Sequence, residues 1–245
     1  MKKIFIDKTD STNKYLLENA GELGNFTMVV AGIQTEGRGQ RGNRWESEPG
    51  KNLTFSVWHT PVNILAKEQF VISEAVALAV VDLLATYGIS ATVKWPNDVY
   101  VGDSKICGIL IEHSLQGSRI CNSRIGVGIN VNQTVFTSDA PNPMSMKMLT
   151  GSDYDLHRLA EEAGCTIQKH LELCGSPEGR TILHEKFTRN LWRGNGMAFP
   201  FRRRSEESVF PGVIVGVAHD GAISILDTAT GVMSKYLFKE VEFIL

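Results

Sequence analysis

The chain has 245 residues, of which 42% are hydrophobic and 21% charged, a composition typical of a globular protein with one large and one small domain. Its net charge of −2 excludes an overall basic protein, and no uninterrupted apolar run approaches membrane-spanning length, so we predict no membrane association. The four cysteines form no C-x-x-C pair and the histidines lack metal-ligand spacing, which indicates free thiols in the cytoplasm and no zinc site.

The first half of the chain combines predicted strands with helices. Strands are predicted at four places: 2–7, 27–33, 53–58 and 91–95. Ser11 and Thr12 supply N-cap side chains for a helix between the first two strands. A long helix with apolar periodicity is predicted at 64–87 and ends before Gly88.

The second half begins with a predicted hairpin, whose strands 105–113 and 119–131 alternate at period two. Two helices follow at 153–174 and 179–192, the first with Ser152 and Asp155 as a capping box. Beyond a linker at 193–196 the pattern changes to short alternating strands. Turns at Asp220-Gly221 and Thr230-Gly231 separate these strands, and about fifty residues of this kind suit a small barrel.

The segment from Gly37 to Trp45 has the glycine spacing G-x-G-x-x-G of dinucleotide-binding loops. Such a loop needs a helix at its last glycine, whereas here a polar stretch leads through Pro49 into a predicted strand. A phosphate-binding P-loop would need Lys and then Ser or Thr after Gly42, where this chain has Asn and Arg. We therefore predict a mobile, glycine-hinged loop that closes over an anion with three arginines: Arg38, Arg41 and Arg44.

The end of the predicted hairpin carries apolar side chains on one face only. The opposite face of this strand consists of Gly126, Gly128, Asn130 and Asn132. Glycine weakens a strand, so this face either leaves room for a ligand or makes a tight contact with a helix.

Polar residues follow the predicted strand 91–95. The carboxylate of Asp98, next to Asn97, is the hard oxygen ligand that Mg²⁺ prefers, although a turn capped by its own side chain is the alternative. Lys105 opens the next strand, where a lysine is usually solvated.

Four motifs occur in order along the chain: 37–45, 94–98, 105–112 and 126–130. With Ser11-Thr12-Asn13 and Gln34 they resemble the biotin–protein ligase family over essentially the whole chain. The resemblance implies an α+β fold with a class II synthetase-like mixed sheet flanked by helices and a C-terminal SH3-like β-barrel. It implies a catalytic domain at 1–194 and the barrel at 195–245.

The same resemblance implies an ATP-dependent ligase. Biotin and ATP would form biotinyl-5′-AMP and pyrophosphate in the presence of Mg²⁺. The biotinyl group would then pass to a lysine of a biotin carboxyl carrier protein.

Site residues follow from the resemblance position by position. The catalytic residues would be Lys105, Arg38 and Arg41. The biotin-binding residues would be Ser11, Thr12, Asn13, Gln34, Gly37, Arg38, Gly39, Gln40 and Lys105. The ATP-binding residues would be Arg38, Arg41, Trp45, Asn97, Lys105 and Asn130, and Asp98 would hold Mg²⁺.

One position departs from the family pattern, because Gln40 stands where arginine is common. Glutamine brings no charge, so we expect a weaker hold on the adenylate. The triplet Met146-Lys147-Met148 copies the surroundings of the biotinylated lysine in carrier domains. We interpret it as a strand or loop with buried methionines.

Two alternative functions have some support in the sequence. A lipoate or octanoate ligase has a similar catalytic domain, but the arginine and double glycine ahead of a His-Asp pair are missing. A nucleic-acid module around 202–204 is weakened by the acidic Glu206 and Glu207. The predicted catalytic region starts within ten residues of the first residue, so we expect no helix-turn-helix domain and no DNA binding. The oligomeric state stays open, with a homodimer as one alternative.

Overall fold

The computed structural model describes residues 1–39, 44–137, 142–206 and 208–245. Seven strands form the larger sheet: β1 (Lys2–Thr9), β2 (Thr27–Gln34), β3 (Leu53–His59), β4 (Thr92–Lys94), β5 (Asp98–Val101), β6 (Ser104–Gln116) and β7 (Arg119–Ile129). Their order is β1-β2-β3-β7-β6-β5-β4. The β1–β2 pair is parallel and the other neighbours are antiparallel, so the sheet is mixed as expected.

Five α-helices accompany the described strands: α1 (Thr12–Glu18), α2 (Phe70–Thr86), α3 (Met146–Thr150), α4 (Leu156–Leu173) and α5 (Pro177–Arg189). Short 3-10 turns lie at Ala20–Glu22 and Ala66–Glu68. The segment Ala66–Thr86 is long and apolar enough to cross a membrane by length and composition, yet 72% of its apolar 18-residue stretch is buried inside the molecule. Burial of this kind is typical of a core helix, and α2 packs against α4 and α5.

The two faces of the larger sheet have different partners. Alternate residues of β7, such as Val127, point into the main core together with the apolar residues of α2. The opposite face carries α1, whose Leu16 packs with Val29 and Trp58 in a second, smaller core. The glycines of β7 lie on this second face, and the candidate site is built there.

Five strands form the second sheet: β8 (Phe199–Arg203), β9 (Val209–Val217), β10 (Ile223–Asp227), β11 (Met233–Tyr236) and β12 (Val241–Phe243). The predicted turns are present, since Gly221 (φ +89°) and Gly231 (φ +74°) adopt the left-handed conformation between paired strands. The described strands are antiparallel in the order β11-β10-β9-β8-β12, which leaves two open edges. The sheet is therefore not a closed barrel, and the predicted SH3-like barrel is not confirmed.

The two sheets share one continuous apolar core. Trp95, beyond the end of β4, donates a hydrogen bond from Nε1 to the carbonyl oxygen of Gly221 at 2.8 Å. The same turn approaches Phe70 at the start of α2, and the Trp95 ring lies 6.2 Å from the ring of Phe238. The second sheet is thus fixed against the end of the first by contacts on both sides of the 193–196 segment.

Several predicted boundaries differ from the structure. Helix α4 begins after Asp155, whose carboxylate alone accepts the cap hydrogen bonds, so the capping box with Ser152 is wrong. Helix α5 begins two residues earlier than predicted, at Pro177. The Met146–Met148 triplet lies in helix α3 rather than in a strand or loop, and Lys147 Nζ pairs with Asp153 at 2.8 Å. Met146 is buried as expected, whereas Met148 is exposed.

Candidate active site

Two glycines on neighbouring strands form the centre of the site. Gly108 of β6 and Gly128 of β7 are directly opposite each other in the register, and Asp98 of β5 follows in the same row. A Cβ atom on Gly128 would lie 2.5 Å from Nε1 of Trp45, and one on Gly108 would lie 2.9 Å from Cζ3 of the same ring. The indole therefore lies directly on this pair of glycines, which we call the glycine floor.

The third glycine of this face has a different neighbour. A Cβ atom on Gly126 would lie 2.9 Å from Oδ1 of Asn13 in α1. The interpretation as a tight helix contact is confirmed at Gly126, and room for a ligand on this face stays a prediction. A helix contacts the strand tightly at Gly126, while the glycine floor accommodates a ring.

A cation and a carboxylate lie at one end of the glycine floor. Lys105 Nζ is 2.7 Å from Asp98 Oδ1, and 25% and 23% of the two side chains are exposed. The same Nζ lies 5.8 Å from the centroid of the Trp45 ring. The main chain of Lys105 is held by hydrogen bonds of 2.8 Å to Asn142 and Met144, which fixes the start of its side chain, and Asp98 holds the ammonium beside the floor.

Two buried polar atoms at this end have no hydrogen-bond partner among the described residues. They are Oδ1 of Asn130 and Nε1 of Trp45. Asn130 is fixed by its other atoms, because its Nδ2 donates to the carbonyl oxygen of Met144 at 3.0 Å and its main-chain N–H to Ile106. Buried polar groups are normally paired, so this end of the site offers a ligand one hydrogen-bond acceptor and one donor. Asn97 is engaged, since its Nδ2 donates to the carbonyl oxygen of Ile109.

A network of five polar side chains lies at the other end of the site. Gln34 Oε1 accepts the main-chain N–H of Thr12 at 2.8 Å, and the hydroxyls of Thr12 and Ser56 are 2.6 Å apart. Ser56 Oγ donates to Asn13 Oδ1 at 2.7 Å, and Asn13 Nδ2 donates to Glu112 Oε2 at 2.9 Å. We call these residues the polar network. It connects β2, α1, β3 and β6 across the sheet face.

Ser11 occupies the N-cap position of α1 but makes no side-chain cap hydrogen bond. The residue is buried beside the polar network. The predicted position of the cap is confirmed, while its hydroxyl is not used for capping.

The arginine loop is closed at its base. The main-chain N–H of Trp45 donates to the carbonyl oxygen of Gly37 at 2.9 Å, and Arg38 and Arg44 form an antiparallel bridge. No helix begins in the described part of this loop, in agreement with the rejection of a dinucleotide-binding turn. The side chain of Trp45 thus extends from the hydrogen-bonded end of the loop onto the glycine floor.

The charges of the loop are described only in part. Gln40 and Arg41 lie outside the described residues. Arg38 is exposed, and its charge contributes to the lowered pKa of Asp10, which results mainly from the hydrogen bond and charge of Lys14. Gly39 is half-buried between Arg38 and the undescribed segment.

A second lysine lies near Lys105. Lys94 is opposite Asp98 in the β4–β5 register, and its Nζ is 3.0 Å from the hydroxyl of Tyr100. Burial lowers the pKa of Lys94, the positive charge of Lys105 lowers it further, and Asp98 acts in the opposite direction. Lys94 was not among the predicted site residues, although its place in the 94–98 motif was a usable signal.

Asp98 is the carboxylate on which the predicted magnesium site depends. The described residues contain no group of three or more His, Cys, Asp or Glu side chains placed to hold a metal. Mg²⁺ commonly takes one or two carboxylates and completes its coordination with water and substrate phosphates. Asp98 fits a site of that kind, held mainly by a nucleotide, once it separates from Lys105.

The structure brings most of the predicted site residues into two adjoining groups. Thr12, Asn13 and Gln34 belong to the polar network. Asp98, Lys105, Asn130 and Trp45 surround the glycine floor. Ser56 and Glu112 were missed, although Ser56 alternates with buried residues of a predicted strand and Glu112 closes the 105–112 motif.

Comparisons with known proteins identify a family for this chain. Residues 5–130 match the biotin/lipoate A/B protein ligase family. The bifunctional ligase/repressor BirA of Bacillus spizizenii is 30% identical over 240 residues, covering 94% of this chain and 70% of that protein. The biotin–[acetyl-CoA-carboxylase] ligase of Paracoccus denitrificans is 29% identical, covering 88% and 90%. The solved biotin protein ligase from Aquifex aeolicus in complex with biotin and ATP has a TM-score of 0.79 at 25% identity, covering 98% of this chain and 97% of that one.

Proposed function

Because the chain belongs to the biotin/lipoate A/B protein ligase family, we propose that it is a biotin–protein ligase. It activates biotin with ATP as biotinyl-5′-AMP and transfers the biotinyl group to a lysine of a biotin carboxyl carrier protein. One observation carries the assignment of the site: an anchored Lys105 ammonium next to Asp98 lies at one end of a glycine floor, and a buried polar network lies at the other.

The polar network is the proposed binding site of the ureido ring. Ser11, Thr12 and Gln34 provide hydroxyl and amide groups for a neutral, polar ring, with Asn13 behind them. A site that is built to bond N–H and C=O groups rejects analogues without them, because its own groups then stay unpaired.

The first reaction step brings two anions together. The biotin carboxylate attacks the α-phosphorus of ATP, a carboxylate-oxygen–phosphorus bond forms, and pyrophosphate leaves. Two unit charges about 4 Å apart repel by ~4 kcal/mol at an effective dielectric near 20. Lys105 offsets this repulsion and stabilises the charge that develops on the phosphorus oxygens when it exchanges Asp98 for the substrates.

The nucleotide is proposed to occupy the end of the site with the unpaired polar atoms. Asn130 Oδ1 and Trp45 Nε1 can bond the nucleotide, and Asn97 lies next to Asp98. Asp98 would hold Mg²⁺, which neutralises phosphate charge when bound.

The loop that carries Arg38 and Arg41 is proposed to close over the mixed anhydride and exclude water, which would hydrolyse it. Gly37, Gly39 and Gln40 belong to the same closing segment. In the second step, the amine of the acceptor lysine attacks the acyl carbon and loses a proton. The bond to the phosphate oxygen breaks and AMP leaves.

We also propose the domain division, the cellular location and the oligomeric state from the family resemblance. We assign 1–194 to catalysis and 195–245 to an SH3-like C-terminal domain. A cytoplasmic location fits an enzyme that modifies carboxylase carriers. A homodimer is one alternative for the oligomeric state. The lipoate alternative is tested by offering lipoate in place of biotin in the same assay.

The test of the proposal is biotin-dependent release of pyrophosphate from ATP. Replacing Lys105 by alanine should lower the rate ~10²–10³-fold, the usual effect of removing one preorganised charge-stabilising group. Lys105→Arg should not restore it fully, because the guanidinium is wider and flatter. Near-normal release from Lys105→Ala would reject the role of Lys105.

A matched control is available in Lys186, which also pairs with a carboxylate, Asp82, but lies on α5 behind the opposite face of the sheet. Lys186→Ala should release pyrophosphate at the natural rate. Absence of biotin-dependent release from the natural protein would reject the function itself.

A further inference from the structure

The polar network contains two residues that were not predicted to take part in biotin binding, Ser56 and Glu112. The donor and acceptor roles along the network are fixed beginning at Glu112. Glu112 Oε2 is 2.9 Å from Asn13 Nδ2, and the carbonyl oxygen of Leu110 is 3.4 Å from the same nitrogen. Carboxylate and carbonyl oxygens are acceptors, so the Asn13 amide must turn its NH₂ group toward them. Its Oδ1 atom therefore faces Ser56.

The direction of the next hydrogen bond in the network follows from the single proton of the Ser56 hydroxyl. Ser56 is fully buried, and its Oγ is 2.7 Å from Asn13 Oδ1, which only accepts. The single proton of Ser56 is used there. Ser56 Oγ is also 2.6 Å from Thr12 Oγ1, so the proton between these two oxygens must come from Thr12.

Thr12 is thereby left with lone pairs and no proton to offer. Its 3.2 Å contact with Gln34 Oε1 is the longer of its two hydroxyl contacts. Gln34 Oε1 accepts the main-chain N–H of Thr12 at 2.8 Å, which leaves the Gln34 NH₂ group as a donor. An acceptor on Thr12 beside a donor on Gln34 is complementary to the N–H and C=O groups of a cyclic urea.

We infer that Ser56 and Glu112 are positioning residues that fix the hydrogen-bond polarity of the biotin site, so that Thr12 accepts a ring N–H and rejects a ring acceptor. The inference rests on the proposed function, because it concerns the same site. It adds a cause of specificity that lies behind the residues in contact with the ring.

The test compares biotin with two analogues in which an oxygen atom replaces one or the other ring N–H. With the natural protein, kcat/KM for pyrophosphate release should be ~10²–10⁴-fold lower for the analogue whose oxygen faces Thr12. In Ser56→Ala the Thr12 proton is free to turn toward the ligand. The discrimination ratio should then fall about tenfold or more, while KM for biotin rises about tenfold and kcat changes less.

Ser123→Ala is the matched control, since Ser123 is an equally buried serine of the same sheet that pairs with His113 rather than with the polar network. It should leave the discrimination ratio unchanged. A ratio in Ser56→Ala equal to that of the natural protein overturns the inference. If the natural protein does not activate biotin at all, the proposed function fails instead.

Glu112 gives a second, independent test. Glu112→Met removes the acceptor that orients Asn13 and should lower the discrimination ratio as Ser56→Ala does. Glu112→Gln keeps an oxygen acceptor of the same length and should restore most of the ratio. Loss of the ratio in Glu112→Gln equal to that in Glu112→Met would show that the charge near Arg124, 3.8 Å away, is responsible, and would overturn the orienting role.

Discussion

The residue types at two positions of the site are determined by the side chain that packs against them. Gly108 and Gly128 leave the space that the indole of Trp45 fills, and any side chain there would overlap the ring. Real Cβ atoms do not approach other heavy atoms within 3.0 Å, and both positions are below that limit. The glycine floor is therefore a shape requirement of the site.

Gly128→Ala should displace the Trp45 indole. The added methyl group cannot coexist with the ring at its present place, so KM for ATP should rise about tenfold, the effect of losing roughly 1.4 kcal/mol. Pyrophosphate-release kinetics and tryptophan fluorescence measure the two effects. Gly216→Ala, at a strand glycine with open space around it, is the control and should change neither. An unchanged KM together with unchanged fluorescence would contradict the expectation.

Gln40→Arg should retain the adenylate longer than the natural protein. A hydrogen bond from a charged donor to phosphate is about twice as strong as one from a neutral amide. The dissociation rate of biotinyl-5′-AMP should therefore fall severalfold, as measured by release of labelled adenylate. Equal rates would reject a role for Gln40 in weak retention.

Among single residues, the sequence predicted those that belong to a recognisable motif. Lys105, Asp98 and Asn130 lie in motifs, and the structure brings them together. The roles of Ser56 and Glu112 could not be found in this way, although Glu112 closes the 105–112 motif. Their roles depend on which strands are neighbours and on the register between them, and local patterns do not contain that information.

Among the described helices, α2 is the most deeply buried and carries an acidic residue in the core. Glu74 is 2% exposed, and its Oε1 lies 2.7 Å from His184 Nδ1 of α5. The His184 ring in turn lies 4.1 Å from that of His219, in the turn before β10. Burial raises the pKa of Glu74 to about 8 and lowers that of His184.

Glu74→Gln should become more stable relative to the natural protein as the pH rises from 5 to 8.5. Between the ordinary pKa of 4.5 and about 8, the unfolded chain releases a proton that the folded protein keeps. The contribution of Glu74 to stability is therefore present at low pH and lost with rising pH, by up to about 5 kcal/mol. Urea unfolding at several pH values measures the difference.

The matching control is Glu162→Gln. The pKa of Glu162 is lowered by hydrogen bonds from Tyr87 and Arg158, so its contribution is lost only as the pH falls below 4.5. The free energy of unfolding of this variant should differ from the natural value by a constant amount between pH 5 and 8.5. A constant difference for Glu74→Gln as well would contradict the raised pKa.

Long elements could be predicted from the sequence, while some of the short ones could not. The periodicity of 64–87 and the hairpin after Lys105 predicted α2, β6 and β7 because each pattern repeats over many residues. Strand β5 has four residues and helix α3 has five, too few for a period to be distinguished. Tertiary pairing determines such elements.

On the scale of the whole molecule, the two sheets are joined by side chains rather than by the linker alone. Trp95 reaches across to the turn at Gly221, and Trp192 and Phe243 pack with rings 5.8 Å apart. The two parts also share one buried core. We therefore expect them to unfold together.

Trp95→Phe should lower the free energy of unfolding by about 1–2 kcal/mol, since the carbonyl oxygen of Gly221 loses its donor while the ring contacts are largely kept. Unfolding followed by fluorescence and by far-UV circular dichroism should stay a single, coincident transition. A separate transition of the second sheet, in either protein, would contradict the shared core.

The place of Trp45 has a consequence for ligand affinity. The ring lies on the glycine floor, so its N–H group is already oriented before a nucleotide arrives. A side chain that is held in place beforehand loses little rotational freedom on binding, which lowers the entropic cost of association. A smaller side chain at position 45 should therefore weaken the capture of ATP and speed its escape.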